Sequence, residues 1–349
     1  MKSQKIAILS LPYGPNYGCV LQQWALYTYI KKQGYSVISL NRRWNRKRSF
    51  SNWLKSFVYL NFFICHFSSF YKKLKHSPEL RSTEELKDFI KTEGIDTVIV
   101  GSDQIWRIEN TRGADLNFFC DFAETAIVKK IAYAASFGNE IWKGTAFETT
   151  TITRLLKKFR SISVREENGV KMCKTLFDCS AEKVLDPTML LETSDYSIFC
   201  KKKQKKYLAT YILDDSPEIR LNICRIAKQL ELSEISLYPQ KKRLLSYKAV
   251  PQWINYISNS DYIFVDSFHG LVFSIMFHRQ FLVLINKKRG ASRIFSLLTD
   301  LNLENRAIND FNDNVFDKLM EKIDYDSVDA KLKVLKEKSK EFLSISLEA

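Results

Sequence analysis

The sequence predicts an α/β protein built from two Rossmann-like domains, and three features of the chain support that prediction. Short apolar segments alternate with helical segments, and most apolar segments end at a polar loop, as in a doubly wound parallel sheet. The chain has 349 residues, which is more than one hydrophobic core usually supports. A lysine-rich run at residues 201–206 separates two such sets of segments and is typical of a linker. We therefore expect an N-terminal domain over residues 1–200 and a C-terminal domain over residues 201–349.

The N-terminal set opens with a strand, a turn-rich loop and a helix. The apolar residues 5–10 predict the strand, and the Pro- and Gly-rich residues 12–18 predict the loop. The helix runs through residues 20–33 and stops at Gly34, since glycine is frequent just past helix C-termini. Further strands are expected at residues 35–40, 97–100, 130–134, 161–164 and 183–185. Polar loops follow the later strands, and ligands bind at the carboxyl edge of such sheets.

The C-terminal set repeats the alternation. A helix is expected over residues 217–230, where apolar side chains recur at helical spacing. A lysine-rich amphipathic helix over residues 329–343 closes the chain. The strands of this set are expected at residues 207–212, 235–237, 262–265 and 281–285.

An aromatic and basic insertion, about residues 42–76, interrupts the N-terminal domain. Residues 53–71 are rich in aromatic side chains, and basic residues flank them. The uncharged part, residues 56–71, is too short and too polar to span a bilayer, which takes about 20 apolar residues. Two hypotheses remain. The segment is either a buried helical insertion or an interfacial helix that brings the protein to the surface of an anionic membrane.

The chain carries 54 basic and 39 acidic residues, which gives a formal net charge of +15. Part of this excess lies in clusters, which favour anionic partners such as phosphorylated substrates, anionic lipid or nucleic acid. We do not expect nucleic acid, because no recognised binding module is present and the basic runs lie in loops and linkers.

Two features of the sequence indicate a cytoplasmic protein. Seven cysteines occur without a CxxC pair or a spacing suited to zinc, which favours a reduced compartment. The apolar run near the N-terminus, residues 6–9, is too short for the core of a signal peptide.

The most specific candidate for catalysis is the segment Asp266–Gly270. It follows the strand at residues 262–265 and precedes a helix that begins near Leu271. Backbone N–H groups at the start of a helix bind anions. His269 lies beside them, and imidazole is the side chain best suited to proton transfer near neutral pH. The alternative is a structural histidine that bonds a backbone carbonyl.

Arg165 is a second candidate, because it directly follows the strand at residues 161–164. A planar guanidinium binds a carboxylate or a phosphate through two hydrogen bonds. The alternative is a salt bridge to Glu166 or Glu167 at the start of a helix.

Two further loops offer groups for a sugar. Asp103 is suited to accept a proton from a sugar hydroxyl, and Trp106 is suited to stack on a sugar ring. The alternative is an aspartate that caps a helix above a buried tryptophan. Gly18 permits a ligand to approach the first helix closely, although Asn16–Gly18 is not a dinucleotide fingerprint.

Six of these segments together resemble the polysaccharide pyruvyltransferase family. In chain order they are NYGCVLQ at 16–22, GSDQIW at 101–106, YAASFG at 133–138, SVRE at 163–166, LDPT at 185–188 and DSFHG at 266–270. The resemblance covers residues 1 to about 310. It implies two Rossmann-like domains that face each other across a cleft, as in glycosyltransferases of type B. It also implies phosphoenolpyruvate as the donor and a hexose as the acceptor.

The resemblance implies roles for individual residues. His269 is expected to move protons, and Arg165 to bind the donor. Some members carry an arginine two residues before the histidine, where this chain has Ser267. The cation for the phosphate is then expected from Arg293 or Lys287. Other donor-binding residues are Ser267, Phe268 and Gly270, and the acceptor-binding residues are Asn16, Tyr17, Gly18, Asp103, Gln104 and Trp106.

The expected activity is transfer of the pyruvyl group of phosphoenolpyruvate to a hexose, which forms a cyclic ketal. The acceptor is a cell-surface or capsular polysaccharide or its lipid-linked precursor. No metal and no redox cofactor are expected, because the chemistry needs only acid–base groups and anion anchors. The expected location is the cytoplasm, with a peripheral membrane contact if the insertion is interfacial. The alternative is a nucleotide-sugar glycosyltransferase of the same type B-like fold.

Overall fold

The computed structural model describes residues 4–12, 14–43, 66–123, 128–203, 205–238, 247–286, 290–311 and 314–348. The chain divides into two compact units, and each is described by itself. The first unit takes its described residues from Met1–Ser56, Ser69–Leu191 and Val334–Ala349, and the second from Phe57–Ser68 and Glu192–Lys333.

A parallel sheet forms the core of the first unit. Its strands are β1 (Lys5–Leu9), β2 (Ser36–Arg42), β3 (His76–Leu80), β4 (Thr97–Asp103), β5 (Lys129–Ala135), β6 (Ser161–Val164) and β7 (Glu182–Lys183). Within the described residues their order is β3-β2-β1-β4-β5-β6-β7, and each neighbouring pair is parallel. The first six strands follow the Rossmann order, which reverses between β1 and β4. The apolar side chains of β1 and β4 are 0% exposed at Ile6–Leu9 and Val98–Val100, as expected where both faces of a parallel sheet are covered.

Side-chain caps fix the starts of several helices of the N-terminal part of the chain. Asn16 accepts a hydrogen bond from the Cys19 N–H at 3.2 Å, and Ser82 accepts one from the Glu85 N–H at 3.1 Å. Thr145 and Glu148 form a reciprocal capping box. The helices are α1 (Tyr17–Lys32), α2 (Ser68–Tyr71), α3 (Thr83–Thr92), α4 (Ile108–Thr111), α5 (Ala146–Leu156) and α6 (Glu167–Leu176).

The second unit is built on a smaller parallel sheet. Its strands are β8 (Tyr207–Tyr211), β9 (Ser233–Ser236), β10 (Tyr262–Val265), β11 (Gln280–Leu284) and β12 (Ala307–Ile308). In the part of the chain that the structure describes, their order is β12-β11-β10-β8-β9, and the neighbouring pairs are parallel. This is the flavodoxin-like order, which reverses between β8 and β10. The remaining helices are α7 (Thr193–Ser197), α8 (Pro217–Gln229), α9 (Val250–Asn259), α10 (Phe268–Met276), α11 (Ala291–Leu301), α12 (Val315–Met320) and α13 (Tyr325–Glu348).

The predicted strands are present, most of them within two residues of their expected bounds. The strand β4 is longer than predicted, because it continues through Gly101–Asp103, which the sequence places in a loop. Two strands were not predicted. The β3 segment HSPEL has no run of apolar residues and contains Pro78, and β12 has only two residues.

The predicted domain bounds are wrong for the C-terminal helix. Residues from Val334 onward belong to the first unit, and the boundary between the units lies after Leu191. The Leu185 N–H donates to Ser339 Oγ at 2.9 Å, and the ring of Phe342 packs against Tyr133 at 6.2 Å. The sequence shows that this helix has an apolar stripe, but it does not show which core receives the stripe.

Most of the predicted insertion, residues 44–65, lies outside the described residues, so both hypotheses for it stay predictions. Among the described helices, none is both long enough and apolar enough to cross a membrane.

Candidate functional site

A buried polar network centred on Arg165 lies at the carboxyl edge of the first sheet. Arg165 directly follows β6, and its side chain is 0% exposed. Its Nη1 donates to Asp186 Oδ2 at 2.6 Å, and its Nη2 donates to Asp103 Oδ1 at 3.0 Å. Burial alone lowers the pKa of Arg165, but the charges of Asp186, Asp103 and Glu166 outweigh burial and raise it. The guanidinium therefore stays charged and joins the ends of β4 and β6 to the segment after β7.

Asp186 fixes the Leu-Asp-Pro-Thr segment. Its Oδ1 accepts from the Thr188 N–H at 3.0 Å and from the Thr188 hydroxyl at 2.7 Å, which caps the short helical turn Pro187–Met189. Its Oδ2 accepts from Arg165 and, at 3.4 Å, from Ser102 Oγ. Burial and the charge of Asp186 together raise the pKa of Tyr133. Tyr133 therefore stays protonated, and it donates to the Leu185 carbonyl at 3.0 Å.

Asp103 ends β4 in a conformation that non-glycine residues rarely adopt, with φ at 80°. Its Oδ1 accepts from the Gln104 N–H at 2.9 Å as well as from Arg165. Its side chain is 10% exposed, whereas the side chains of Arg165 and Asp186 are 0% exposed. Asp103 is therefore the carboxylate of this group that reaches the surface. Residues in such backbone conformations cluster at functional sites.

The same network joins β1, α1 and β4. The Ser102 N–H donates to Gln22 Oε1 at 2.9 Å, and Gln22 Nε2 donates to Ser10 Oγ at 2.8 Å. Ser10 follows β1, Gln22 lies on α1, and Ser102 lies on β4, where the peptide bond between Gly101 and Ser102 is cis. The strands β1 and β4 are the pair at which the order of the sheet reverses, which is where ligands bind in folds of this type.

Glu166 joins the ends of β5 and β6. Its Oε1 accepts from the Ser136 hydroxyl at 2.9 Å and from the Phe137 N–H at 3.0 Å. Gly138 follows with φ at 72°, and a Cβ at this position would lie 2.7 Å from Gln104 Oε1. Only glycine fits this close approach without displacing Gln104. Five of the six predicted segments therefore meet in one network of the first unit.

The start of α1 presents one of the three predicted residues at the surface. Asn16 is exposed, although its oxygen accepts from the Cys19 N–H. Tyr17 is 1% exposed, so the prediction that it contacts an acceptor is wrong. Gly18 is buried as well, and a glycine can offer a ligand only backbone atoms. Burial, followed by the charge of Asp103, raises the pKa of the Cys19 thiol, which therefore stays protonated.

The prediction that Trp106 stacks on a sugar ring is also wrong. Trp106 is 0% exposed, its indole N–H donates to the Phe118 carbonyl at 3.0 Å, and its ring stacks on Phe119 at 5.5 Å. It is a core residue, as in the alternative interpretation of the sequence. Gln104 is partly exposed, and its Oε1 accepts from Arg107 Nη1 at 3.1 Å.

In the second unit, Asp266 joins the ends of β8 and β10. Its two carboxylate oxygens accept from the Leu213 N–H at 2.8 Å and from the Asp214 N–H at 2.9 Å. Its own N–H donates to the Tyr211 carbonyl at 3.2 Å. The strands β8 and β10 are the pair at which this sheet reverses its order, so Asp266 holds the edge at which a ligand is expected.

The helix α10 begins directly after Asp266. Ser267 is its N-cap, and the hydroxyl of Ser267 accepts from the Gly270 N–H at 3.0 Å. A Cβ on Gly270 would lie 2.9 Å from Tyr211 Cδ1 and 3.0 Å from Val265 Cγ1, so a larger residue would push the helix away from the strands.

His269 lies in the first turn of α10 next to Phe268, and Phe268 itself contacts a cationic side chain. His269 is 8% exposed, and its ring is 5.4 Å from the ring of Phe268. The guanidinium carbon of Arg293, on α11, lies 5.7 Å from the centre of the Phe268 ring, which is a cation–π distance. The structure therefore brings together Ser267, Phe268, His269, Gly270 and Arg293. Lys287 lies outside the described residues.

The guanidinium of Arg165, in the first unit, is buried and binds two carboxylates, which argues against the prediction that it contacts the donor directly. The alternative interpretation predicted a salt bridge but named the wrong partners, since Asp103 and Asp186 and not Glu166 or Glu167 take that place. In the described residues, no group of three or more His, Cys, Asp or Glu side chains is arranged to hold a metal ion.

The sequence did not identify four residues whose side chains bond neighbouring loops in this network. They are Gln22, Ser136, Glu166 and Asp186. Each lies in one of the six predicted segments, so the segments were found while the bonds between them were not. The available signal was a carboxylate close after an apolar segment: Asp186 directly follows residues 183–185, and Glu166 lies two residues after the strand at 161–164.

Comparison with solved structures shows the fold. The UDP-GlcNAc 2-epimerase from Neisseria meningitidis bound to UDP-GlcNAc aligns with a TM-score of 0.53 and 10% identity, over 96% of this chain and 94% of that one. Arabidopsis thaliana UGT89C1 complexed with UDP-L-rhamnose aligns with a TM-score of 0.56 and 11% identity, over 98% of this chain and 95% of that one. The predicted α/β fold class, with two Rossmann-like units of the glycosyltransferase B type, is confirmed.

Comparison with sequences shows the family. No curated protein matches the chain significantly. The sequence model of the family described as Polysaccharide pyruvyl transferase matches residues 16–288, which is more than half of the chain and includes all six predicted segments. The chain therefore belongs to the polysaccharide pyruvyl transferase family.

Proposed function

We propose that this protein transfers the pyruvyl group of phosphoenolpyruvate to two hydroxyl groups of a hexose, and that it acts in the synthesis of a cell-surface or capsular polysaccharide. Membership of the family makes the chain a transferase of polysaccharide biosynthesis. The donor and the ketal product are our proposal. The observation that supports it most is the position of His269, in the first turn of a helix that starts at the reversal point of the second sheet.

The first turn of α10 suits an anionic donor. The first N–H groups of a helix have no partner within the helix and carry partial positive charge, so they bind phosphate or carboxylate groups. In α10 one of these groups, the Gly270 N–H, donates to the Ser267 hydroxyl, and the same turn carries Phe268 and His269. Arg293, held against Phe268, adds a cation beside the same turn. We propose that Arg293 replaces the arginine that some relatives carry at the position of Ser267.

The reaction that we propose begins with proton transfer to the donor. His269 gives a proton to C3 of phosphoenolpyruvate, and positive charge develops at C2. A sugar hydroxyl attacks C2 and loses its proton to a base, and the bond between C2 and the phosphate oxygen breaks. A second hydroxyl then attacks C2 and closes the ring. The products are the cyclic ketal and inorganic phosphate, and the two hydroxyl protons balance the proton gained at C3 and the one carried away by phosphate.

Asp103 is the carboxylate that we propose as the base for the acceptor hydroxyl. Among the carboxylates of the first-unit network, it reaches the surface while its oxygen stays fixed by Arg165. A positioned carboxylate of this kind contributes about 10²- to 10⁴-fold as a general base. Asn16 and Gln104, which are exposed and partly exposed, are the proposed hydrogen-bonding partners of the sugar.

The test is release of phosphate from phosphoenolpyruvate in the presence of a panel of hexosides with free hydroxyl pairs. Mass spectrometry should show a product heavier by pyruvate minus water. His269→Ala should lower kcat by about 10²-fold or more, because the proton donor is lost. His278→Ala is the matched control, since His278 is a 46% exposed histidine of the same unit.

Two results would overturn the proposal. The first is turnover of His269→Ala close to that of the unchanged protein. The second is transfer of a sugar from a UDP-hexose with no consumption of phosphoenolpyruvate, which would make the chain a nucleotide-sugar glycosyltransferase instead.

A further inference from the structure

The last sixteen residues of the chain are part of the unit that holds Asp103, although the family match ends at residue 288. Residues 334–348 form the second part of α13. Ser339 on this helix is 1% exposed, and its hydroxyl donates to the Leu335 carbonyl at 2.7 Å. Its free lone pairs face the Leu185 N–H, which donates to Ser339 Oγ at 2.9 Å.

Leu185 is held from both sides. Its N–H bonds Ser339, and its carbonyl accepts from the Tyr133 hydroxyl at 3.0 Å. The ring of Phe342, three residues after Ser339, packs against Tyr133 at 6.2 Å. The helix therefore controls the backbone of Leu185 directly through Ser339 and, through Phe342, it supports the side chain that holds the Leu185 carbonyl.

Two hydrogen bonds connect the residue after Leu185 to Asp103, whose side chain is partly exposed. Asp186 follows Leu185 and binds Arg165 at 2.6 Å, and Arg165 binds Asp103 at 3.0 Å. The side chains that connect Leu185 to Asp103, those of Asp186 and Arg165, are fully buried. A shift at Leu185 therefore displaces packed protein atoms and not solvent. Asp103 is the last member of this series, and its oxygen is the one that the proposed reaction uses.

We propose that Ser339 is a positioning residue for Asp103 and acts through Leu185, Asp186 and Arg165. The inference rests on the proposed function, since it assigns to the C-terminal helix the alignment of the acceptor's base. It assigns a role in catalysis to a residue outside the segment that the family model matches. Ser339 itself touches no substrate in this scheme.

The test compares Ser339→Ala with Ser339→Thr, which keeps a hydroxyl, and with Ser346→Ala, which removes another buried serine of the same helix. A small displacement of a catalytic group lowers kcat steeply, and we expect about a 10-fold loss in Ser339→Ala with little change in KM for phosphoenolpyruvate. Ser339→Thr should restore most of the loss, and Ser346→Ala should keep the kcat of the unchanged protein.

A second readout separates positioning from general damage to the fold. A carboxylate with a weakened guanidinium partner is protonated more readily, so the acidic limb of the pH profile of kcat/KM should move to higher pH in Ser339→Ala. If Ser339→Ala leaves both the acidic limb of this pH profile and kcat unchanged, the inference is overturned. An equal loss of kcat in Ser346→Ala would also overturn it.

Hydrogen exchange keeps this inference distinct from the proposed function. The Leu185 amide should exchange faster in Ser339→Ala than in Ser346→Ala, whatever the reaction is. If the unchanged protein consumes no phosphoenolpyruvate, the proposed function fails while the exchange result still reports on the contact. If exchange at Leu185 is the same in both variants, the positioning role fails even in an active enzyme.

Discussion

A guanidinium that is removed from water needs negative partners, and Arg165 has two of them. The bonds to Asp103 and Asp186 fix three loops, which explains why an arginine occupies a fully buried position. A lysine would offer one charged point in place of a planar fork and could not bridge both carboxylates with the same geometry. Arg165, which the sequence predicts as a ligand for the donor, therefore organises the loops that carry Asp103 and Asp186.

We expect Arg165→Met to lower the free energy of unfolding by about 3–5 kcal/mol, because two buried carboxylates lose their common counter-charge. Urea denaturation followed by circular dichroism measures the change. Arg154→Met, on the exposed face of α5, is the control and should change stability by less than about 0.5 kcal/mol. A loss for Arg165→Met as small as that of the control would show that the network does not stabilise the unit.

For individual residues, the sequence indicates the position along a strand but not the exposure or the hydrogen-bonding partners. The sequence places Arg165 directly after a strand, and the structure confirms this place. Asp103 is the last residue of β4 and not part of the loop after it, and β7 ends at Lys183, three residues before Asp186. The sequence gives no measure of exposure within a loop, so buried Trp106 and Tyr17 looked as accessible as Asn16. The partners of Arg165 are 21 and 62 residues away in the chain, and no local pattern identifies them.

At the scale of elements, the junction of β10 and α10 depends on close packing at a single glycine. Gly270 lies against Tyr211 and Val265, and its N–H bonds the cap Ser267. Any displacement here moves the first turn of α10, which carries His269. The position of the His269 imidazole is thus set by a contact between a helix and two strands.

We expect Gly270→Ala to destabilise the protein by about 1–3 kcal/mol, since the new methyl group would overlap Tyr211 and the Ser267 hydroxyl. It should also raise KM for phosphoenolpyruvate several-fold, because it displaces the N–H groups that we propose for binding the anion. Chemical denaturation and steady-state kinetics measure the two effects.

The control for Gly270→Ala is Ser216→Ala, which removes the cap of α8 in the same unit. Loss of a cap costs about 1 kcal/mol, so the control is also destabilised while the donor edge stays intact. If both variants raise KM equally, the effect is one of stability alone and α10 does not bind the donor.

Elements were more predictable than contacts. Apolar runs bounded by polar or turn residues identified ten of the strands, because a strand buried on both faces is a continuous apolar segment. The two strands that escaped prediction, β3 and β12, lie at sheet edges, where pairing on one side relaxes the need for apolar residues.

At the scale of the whole chain, each unit has buried polar residues at the two strands where its sheet reverses order. In the first unit these strands are β1 and β4, and in the second they are β8 and β10. The sequence predicted these loops because polar segments follow apolar strands there. It did not predict that the C-terminal helix belongs to the first unit, since the order of elements in a chain does not determine which core a terminal helix joins.

The net charge of +15 predicts a dependence of the reaction on salt. A positive protein attracts a donor that carries a phosphate and a carboxylate, and added salt screens this attraction. We expect kcat/KM for phosphoenolpyruvate to fall by about 10-fold from low to high ionic strength, while kcat stays nearly constant. Replacing Lys201 and Lys202 by glutamate lowers the net charge to +11 and should weaken the dependence without changing kcat at saturating donor. A kcat/KM that is insensitive to salt in both proteins would mean that the basic excess plays no part in capturing the donor.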